Sequence, residues 1–162
     1  MKYSKVYINS MAYEKAPIVV TSEELEERIA PVYKKFHIPV GQLRTLTGIE
    51  ERRWWPKDFK VSQGAAAAAK KSLAETGLDI KDIGAIIYTG VCREQHEPAT
   101  ACAVANELGA NNDTVIYDIS SACLGVMTGM VDVANRIELG QIKAGLVVSC
   151  ETARDIVNTT IQ

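Results

Sequence analysis

Residues 115–130, VIYDISSACLGVMTGM, combine two patterns of secondary structure in one short stretch. The first residues alternate and are rich in β-branched and aromatic side chains, which predicts a strand over Val115–Ile119. Small and apolar residues follow, and they predict a helix over Ala122–Leu139 that Gly140 ends. Cys123 lies where the strand gives way to the helix. We expect the rest of the chain to be organised around this strand, turn and helix.

The junction leaves two roles open for Cys123. A thiol in the first turn of a helix lies near unpaired backbone N–H groups and the positive end of the helix dipole, which favour a nucleophilic thiolate. Free cysteine is also among the most buried residue types, so a structural thiol in the core is the alternative. The other cysteines, Cys92, Cys102 and Cys150, form no C-x-x-C pair. The pattern indicates reduced thiols in a cytoplasmic protein.

Predicted strands and helices alternate through the second half of the chain. Ile83–Thr89 and Ala144–Ser149 are nearly continuous apolar runs, typical of strands that are covered on both faces. Helices are predicted over Val61–Thr76, which contains a run of alanines, and over Pro98–Leu108. This alternation predicts an α/β fold with a mixed, mostly parallel sheet flanked by helices.

The first sixty residues carry weaker signals. Alternation over Lys2–Ala12 and a β-prone run at Ile18–Val20 predict a strand and its return. Thr21 or Ser22, followed by two glutamates, predicts the start of a helix that Pro31 shortens or kinks. Farther along the chain we expect a short helix over residues 38–46, a charged and aromatic cluster at residues 50–55, EERRWW, and a helix cap at Ser62.

Composition and charge limit the classes of function. The chain has 162 residues, of which 47% are hydrophobic, and its formal net charge is −2 at pH 7. Acidic and basic residues are interspersed, so no basic face for nucleic acid is predicted. No apolar stretch approaches the length of a membrane span, and no apolar leader follows the first lysines. We therefore expect small molecules or proteins as partners, with no nucleic acid and no membrane span.

Three short segments follow predicted strands, where open α/β folds place their sites. They are residues 90–98, GVCREQHEP, residues 118–125 around Cys123, and residues 149–155, SCETARD. His96 and Glu97 are candidates for the base that a cysteine nucleophile needs, although a solvated loop is the default explanation for these residues. His37 lies near lysines at a predicted helix end, which is typical of a surface residue. No glycine motif for nucleotides and no metal-ligand spacing occurs.

Three motifs, in order, resemble ketoacyl synthase III-like condensing enzymes of the thiolase superfamily. They are Thr47-Gly48-Ile49 with Arg52 and Arg53, Glu97-Pro98-Ala99-Thr100-Ala101, and YDISSACLG from Tyr117 to Gly125. The resemblance implies a layered αβαβα fold of two similar halves, of which residues 1–162 match only the first. It also implies that the Cys123 thiolate accepts an acyl group from acyl-CoA or acyl-carrier protein and yields it to a carbanion in a Claisen condensation.

Several residues differ from the family pattern, and these differences indicate which branch of the family the sequence resembles. The family's catalytic histidine and asparagine belong to its second half, and neither His37 nor His96 matches them. Members that initiate fatty-acid synthesis hold the adenine of CoA with a tryptophan and an arginine, where this sequence has Gln42 and Leu46. They have an aromatic residue at the position of Glu97. A glutamate followed by proline, 26 residues before the nucleophile, is similar to the branch that joins two long-chain acyl-CoAs head to head in bacterial olefin biosynthesis.

In that branch the glutamate reaches across a homodimer and removes the α-proton of the second acyl-CoA. A substrate that loses no CO₂ needs such a base, which a carboxylate buried in an acyl tunnel can supply. The resemblance thus implies Cys123 and Glu97 as catalytic residues, CoA thioesters as substrates, and no cofactor or metal. Two alternatives stay open: a ketoacyl synthase III that uses malonyl-carrier protein, and a non-catalytic dimerisation or interaction module.

The resemblance also implies how the chain assembles. Sheets of this superfamily run on across the two-fold axis of a homodimer, so Val115–Ile119 or Ala144–Ser149 is expected near that contact. We expect an exposed apolar surface where a second half would pack. The last helical pattern, which stops at Ile161-Gln162 without a cap or closing strand, indicates one half of a larger protein.

Overall fold

The computed structural model describes residues 2–152 and residue 154. The predicted helical pattern that stops at Ile161-Gln162 lies outside these residues. In chain order the elements are β1 (Ile18–Thr21), α1 (Ser22–Arg28), α2 (Ala30–Lys35), α3 (Gln42–Thr47), β2 (Glu51–Trp54), α4 (Val61–Thr76), β3 (Ile83–Tyr88), α5 (Thr100–Leu108), β4 (Val115–Asp118), α6 (Gly125–Glu138) and β5 (Ala144–Val148). They form two compact units, the first with residues 2–14 and 60–151 and the second with residues 15–59, 152 and 154.

The first unit is built on a parallel sheet with the strand order β4-β3-β5. The central strand β3 is covered on both faces, since Ala85, Ile86, Ile87 and Tyr88 are fully buried. Helices α4, α5 and α6 pack on this sheet and complete the core. The prediction of an α/β fold with a mostly parallel sheet flanked by helices is confirmed.

Helix α4 has the bounds that its sequence predicts. Its alanines bury a broad face, because Ala65, Ala66 and Ala69 lie in the same core cluster as the central strand. The helix ends at Gly77, whose φ of 70° suits glycine. The expected cap at Ser62 is wrong. Ser62 instead donates its backbone N–H to the Glu94 carboxylate at 2.8 Å, so a distant loop caps this helix.

Helix α6 lies very close to the carboxyl end of β3. A Cβ added at Gly125 would overlap the carbonyl oxygen of Thr89, and one at Gly129 would lie 2.9 Å from the Thr89 and Val147 methyl groups. Residues four apart share one face of a helix, so both glycines face the sheet. Their missing side chains allow the helix to approach the strand and thereby fix the turn that carries Cys123.

The alternating segment Lys2–Ala12 is not a strand, which contradicts the prediction. The backbone N–H of Ser4 donates to the Glu138 carboxylate at 3.0 Å, while Tyr7 and Ile8 are 77% and 59% exposed. An alternating pattern forms a strand only where a neighbouring strand offers hydrogen bonds and one face is covered. Within the described chain this segment has neither.

The second unit contains an antiparallel pair of strands and three short helices. The strand predicted at Ile18–Val20 pairs with β2, which carries the charged and aromatic cluster. Thr21 caps α1 in a reciprocal arrangement with Glu24, as the sequence predicts. The helix ends at Arg28, and Pro31 lies in the first turn of α2, so the predicted shortening is confirmed.

A buried carboxylate joins the helices of this second unit. Glu26 is 3% exposed and accepts hydrogen bonds from the backbone N–H groups of Gly41 and Leu43, both at 2.6 Å. It also accepts one from the Tyr33 hydroxyl at 3.3 Å. The carboxylate therefore caps α3 from α1. The Leu43 N–H is the main cause of the lowered pKa of Glu26, and burial opposes it.

Helices and cysteines of the described chain bear on two expectations from composition. Among residues 2–152 and 154, no helix combines the length and apolar character needed to cross a bilayer. All four cysteines lie in this part of the chain, and no disulfide joins any of them. The second finding agrees with the interpretation of the cysteines as thiols.

Gly125→Ala should lower the free energy of unfolding by about 1–3 kcal/mol, because the new methyl group meets a backbone oxygen that cannot move freely. Urea unfolding measures the change. Val126→Ala, at a partly exposed position of the same helical turn, is the matched control and should stay within about 0.5 kcal/mol of the original chain. Equal stabilities for the original chain and Gly125→Ala would contradict the close approach of α6 to β3.

Glu26→Gln should lower the free energy of unfolding at neutral pH. It should also make this free energy fall less steeply as the pH is lowered. A carboxylate with a lowered pKa in the folded state stabilises above its ordinary value of 4.5 and loses this contribution as the pH falls through the lowered pKa. Urea unfolding between neutral pH and pH values below 4.5 measures both effects. Glu27→Gln, at the exposed neighbouring position, should keep the original pH dependence. An unchanged acid dependence in Glu26→Gln would contradict the capping role.

Candidate active site

Cys123 lies in a single 3₁₀ turn, Ala122–Leu124, between β4 and α6. Its side chain is exposed within this chain, whereas a structural cysteine in the core would be buried. The predicted helix starts as this turn and becomes an α-helix only at Gly125. The residue before Cys123, Ala122, has a φ of 43°, in a region that L-residues seldom adopt. A strained backbone beside a reactive side chain is typical of functional sites.

Three large apolar side chains that follow Cys123 within four residues are exposed. Leu124 and Met127 are 64% and 61% exposed, and Val126 is 44% exposed. Large apolar groups that face solvent together are typical of surfaces that bind a ligand or another protein surface. Exposed apolar side chains therefore follow Cys123 directly in sequence.

Glu97 lies in the loop between β3 and α5, and its peptide bond to Pro98 is cis. Since β3 and β4 are adjacent parallel strands, the loops that carry Glu97 and Cys123 both follow the carboxyl ends of these strands, on the same side of the sheet. Glu97 and His96 are both exposed. Within the described chain the Glu97 carboxylate has no hydrogen bond or ion pair, including none to Cys123. The expected burial of this carboxylate is therefore not found in the single chain.

Asp118 connects these two loops, and sequence reasoning did not single it out. Its side chain is 5% exposed and accepts the backbone N–H groups of Thr100 and Ala101, both at 2.9 Å. Asp118 ends the strand that leads to Cys123, and it caps the helix that follows the Glu97 loop. The available signal was indirect, because a helix that begins after Ala99 has no local capping side chain and needs one from elsewhere.

The start of the Glu97 loop is held by residues at the end of β5. The buried Tyr88 hydroxyl lies 2.6 Å from the carbonyl oxygens of both Cys92 and Cys150, and its one hydrogen is shared between these two acceptors. The Glu151 carboxylate accepts the backbone N–H groups of Val91 at 2.7 Å and Cys92 at 3.0 Å. Burial raises the pKa of Tyr88 far above its ordinary value, which keeps the hydroxyl a donor. This third segment thus anchors the loop.

The remaining candidates are His37, in the second unit, and Arg93, in the Glu97 loop. His37 belongs to the second unit and is exposed after α2, in agreement with a surface role. Arg93 lies 3.8 Å from Asp118, so its charge supports the capping carboxylate. In the described part of the chain, no group of three or more histidine, cysteine or acidic side chains is arranged to hold a metal ion.

Comparison with known proteins identifies relatives of the whole chain. Residues 40–159 match the family model for the thiolase N-terminal domain. The chain is 68% identical over 161 residues to an acyl-CoA:acyl-CoA alkyltransferase of Shewanella oneidensis, covering 99% of this chain and 46% of that protein. The chain spans about half the length of the curated relatives that it matches.

Solved structures give the same result for the fold. A cysteine-to-serine variant of Xanthomonas campestris OleA, with bound lauric acid and lauroyl-CoA, matches with a TM-score of 0.92 and 35% identity over 99% of this chain and 48% of that chain. Another structure of that protein carries glutamine in place of a glutamate. The 3-oxoacyl-(acyl carrier protein) synthase III of Xanthomonas oryzae pv. oryzae matches with a TM-score of 0.94 and 36% identity, over 99% and 48% of the two chains. By sequence and by fold, the chain belongs to the thiolase family.

Proposed function

We propose that this chain is the N-terminal half of an acyltransferase that joins two long-chain fatty acyl-CoAs into a β-keto product without loss of CO₂. The observation that carries this proposal is the 68% identity to an acyl-CoA:acyl-CoA alkyltransferase over 99% of the chain. In this proposal residues 1–162 supply the nucleophile and a base, and the C-terminal half of the enzyme supplies the family's histidine and asparagine. The substrates are CoA thioesters, the location is the cytoplasm, and no cofactor takes part.

The proposed first step is acyl transfer to Cys123. Its thiolate attacks the thioester carbonyl, the new bond to the cysteine sulfur forms, and the bond to the CoA sulfur breaks, so that CoA leaves as a thiolate. The exposed turn leaves the thiol open to a substrate. The apolar side chains of Leu124 and Met127 beside it favour a substrate with a hydrocarbon chain.

The proposed second step uses Glu97 as the base. Its carboxylate takes the α-proton of a second acyl-CoA, the resulting carbanion attacks the acyl carbonyl on Cys123, and the cysteine leaves as a thiolate. Because no CO₂ is released in this reaction, the carbanion must arise by removal of the α-proton. In Xanthomonas campestris OleA the substituted glutamate and cysteine are 26 residues apart, as are Glu97 and Cys123. This equal spacing supports the assignment.

We further propose that Glu97 serves the site of a partner subunit in a homodimer. Its carboxylate is exposed and unpaired within the described chain, which leaves it available to a second copy. Strands β4 and β5 are the two edges of the sheet in the first unit. An edge strand carries unpaired backbone groups that another strand can bind, so either edge suits a sheet that continues into the partner.

The second candidate function is that of a 3-oxoacyl-(acyl carrier protein) synthase III. The match to the Xanthomonas oryzae enzyme, with a TM-score of 0.94, favours it. Such an enzyme obtains its carbanion when malonyl-carrier protein loses CO₂, so it needs no carboxylate at Glu97.

When residues 1–162 are joined to a C-terminal thiolase half, incubation of this protein with myristoyl-CoA should attach one acyl group to the peptide that contains Cys123. Mass spectrometry of the digested protein locates the adduct, and hydroxylamine should release it as expected for a thioester. Cys123→Ala should abolish the adduct, whereas Cys102→Ala, at the exposed cysteine of α5, should retain it. Acylation of a different cysteine would contradict the assignment of the nucleophile.

Glu97→Gln should separate the two steps in an enzyme that joins residues 1–162 to a C-terminal thiolase half. With radiolabelled myristoyl-CoA alone, the acyl group should still reach Cys123, but the β-keto product should fall by about 10²–10⁴-fold because the base is lost. Glu107→Gln, at an exposed position of α5, is the matched control and should form product normally. Condensation that requires malonyl-carrier protein and tolerates Glu97→Gln would favour the second candidate function.

A further inference from the structure

Two guanidinium groups lie against the indole ring of Trp54 in the second unit. Arg28, in the last turn of α1, and Arg154 each have their guanidinium carbon 5.2 Å from the ring centroid. Trp54 ends β2 and belongs to the charged and aromatic cluster at residues 50–55, to which the proposed condensation assigns no role. Each contact is a favourable cation–π interaction, but together they bring two positive charges to one ring.

Neither arginine has a carboxylate partner among the described residues. Glu24 precedes Arg28 by four residues, a spacing that commonly gives an ion pair on a helix, yet none forms here. The Glu24 carboxylate instead accepts the backbone N–H of Thr21 at 2.7 Å. Arg154 donates from Nη2 to the Trp55 carbonyl oxygen at 2.7 Å, while its buried Nε has no hydrogen-bond partner in the described chain. Both guanidinium groups therefore retain capacity for an anion.

These side chains line an open cleft of about 310 Å³. Ile18, Val19 and Val20 line the same cleft, and Ile18 and Val19 are 39% and 42% exposed. Among the described residues that line the cleft, Glu24 is the one acidic residue against two arginines, so this lining carries net positive charge. A cleft with two cations and an apolar wall suits an anion that is attached to an organic group.

We propose that this cleft binds a phosphate monoester, with Arg28 and Arg154 on the phosphate and the organic group on Ile18, which lies opposite Trp54 in the strand pair. The guanidinium fork matches the spacing of phosphate oxygens and binds them in pairs. A phosphate monoester carries about −1.5 to −2 charges at pH 7, enough to engage both arginines, whereas a carboxylate carries one. The site does not depend on the proposed condensation, since Cys123 and Glu97 take no part in it.

Titration of the ¹⁵N-labelled chain with phenyl phosphate tests this site. At constant ionic strength the indole N–H signal of Trp54, assigned with Trp54→Phe, should shift and saturate. Arg28→Gln should weaken the affinity about tenfold, because one charge-assisted pair of hydrogen bonds is lost. Arg154→Gln should give a similar loss. Inorganic phosphate should bind several-fold more weakly than phenyl phosphate, because it has no group to place on the apolar wall.

Arg53→Gln is the matched control. Arg53 lies on the same strand as Trp54, but strand alternation puts it on the other face, where it pairs with Glu51 at 2.8 Å. Its loss should change the affinity by less than about twofold. No saturable shift, or an equal loss in Arg53→Gln, would overturn the site. Equal affinities for phenyl phosphate and inorganic phosphate would contradict a site for a phosphate ester. Binding of butyrate as tight as that of phenyl phosphate would contradict the preference for phosphate over carboxylate. Thermal unfolding verifies the fold of Arg28→Gln, which alters an exposed side chain.

Discussion

Two backbone N–H groups at the start of α5 donate to the buried carboxylate of Asp118, and the geometry of the candidate site depends on this interaction. The helix has no capping side chain of its own, so these donors would otherwise be unsatisfied, at a cost of about 1–3 kcal/mol each. Asp118 also ends the strand that leads to Cys123. One carboxylate thus fixes the start of α5 relative to the turn that carries Cys123, and the Glu97 loop is held between this point and the end of β3.

The exposure of Cys123 follows from packing on the opposite side of its turn. Gly125 and Gly129 let α6 approach Thr89 so closely that a side chain at either position would collide with its neighbours. The helix is therefore anchored to the central strand immediately after the turn. Ala122 takes the uncommon backbone conformation, with a φ of 43°, and Cys123 is left facing solvent, with exposed apolar side chains directly after it in sequence. Tight packing beneath the turn thus produces an accessible thiol above it.

Local sequence signals predicted those parts of the fold that local interactions determine. The bounds of α4 were correct because alanine propensity and a terminal glycine act within the helix itself. The central strand was also predicted, because a nearly continuous apolar run is typical of a strand that is buried on both faces. The alternation at Lys2–Ala12 failed because a strand needs a neighbour, which no local pattern specifies. Asp118 was missed for the same reason, since its partners lie 17 and 18 residues away in sequence.

The position of Glu97 is the least expected feature of the candidate site and bears directly on its proposed role. A fully hydrated carboxylate is a poor base toward a carbon acid, so catalysis requires that water be removed from around it. The described chain offers no such enclosure, and it holds the loop at both ends while leaving the Glu97 side chain outside. A loop that is held at both ends and carries an exposed carboxylate is what one subunit needs in order to deliver a base into another. The enclosure would then come from the partner, and the proposed site would be complete only in the assembled enzyme.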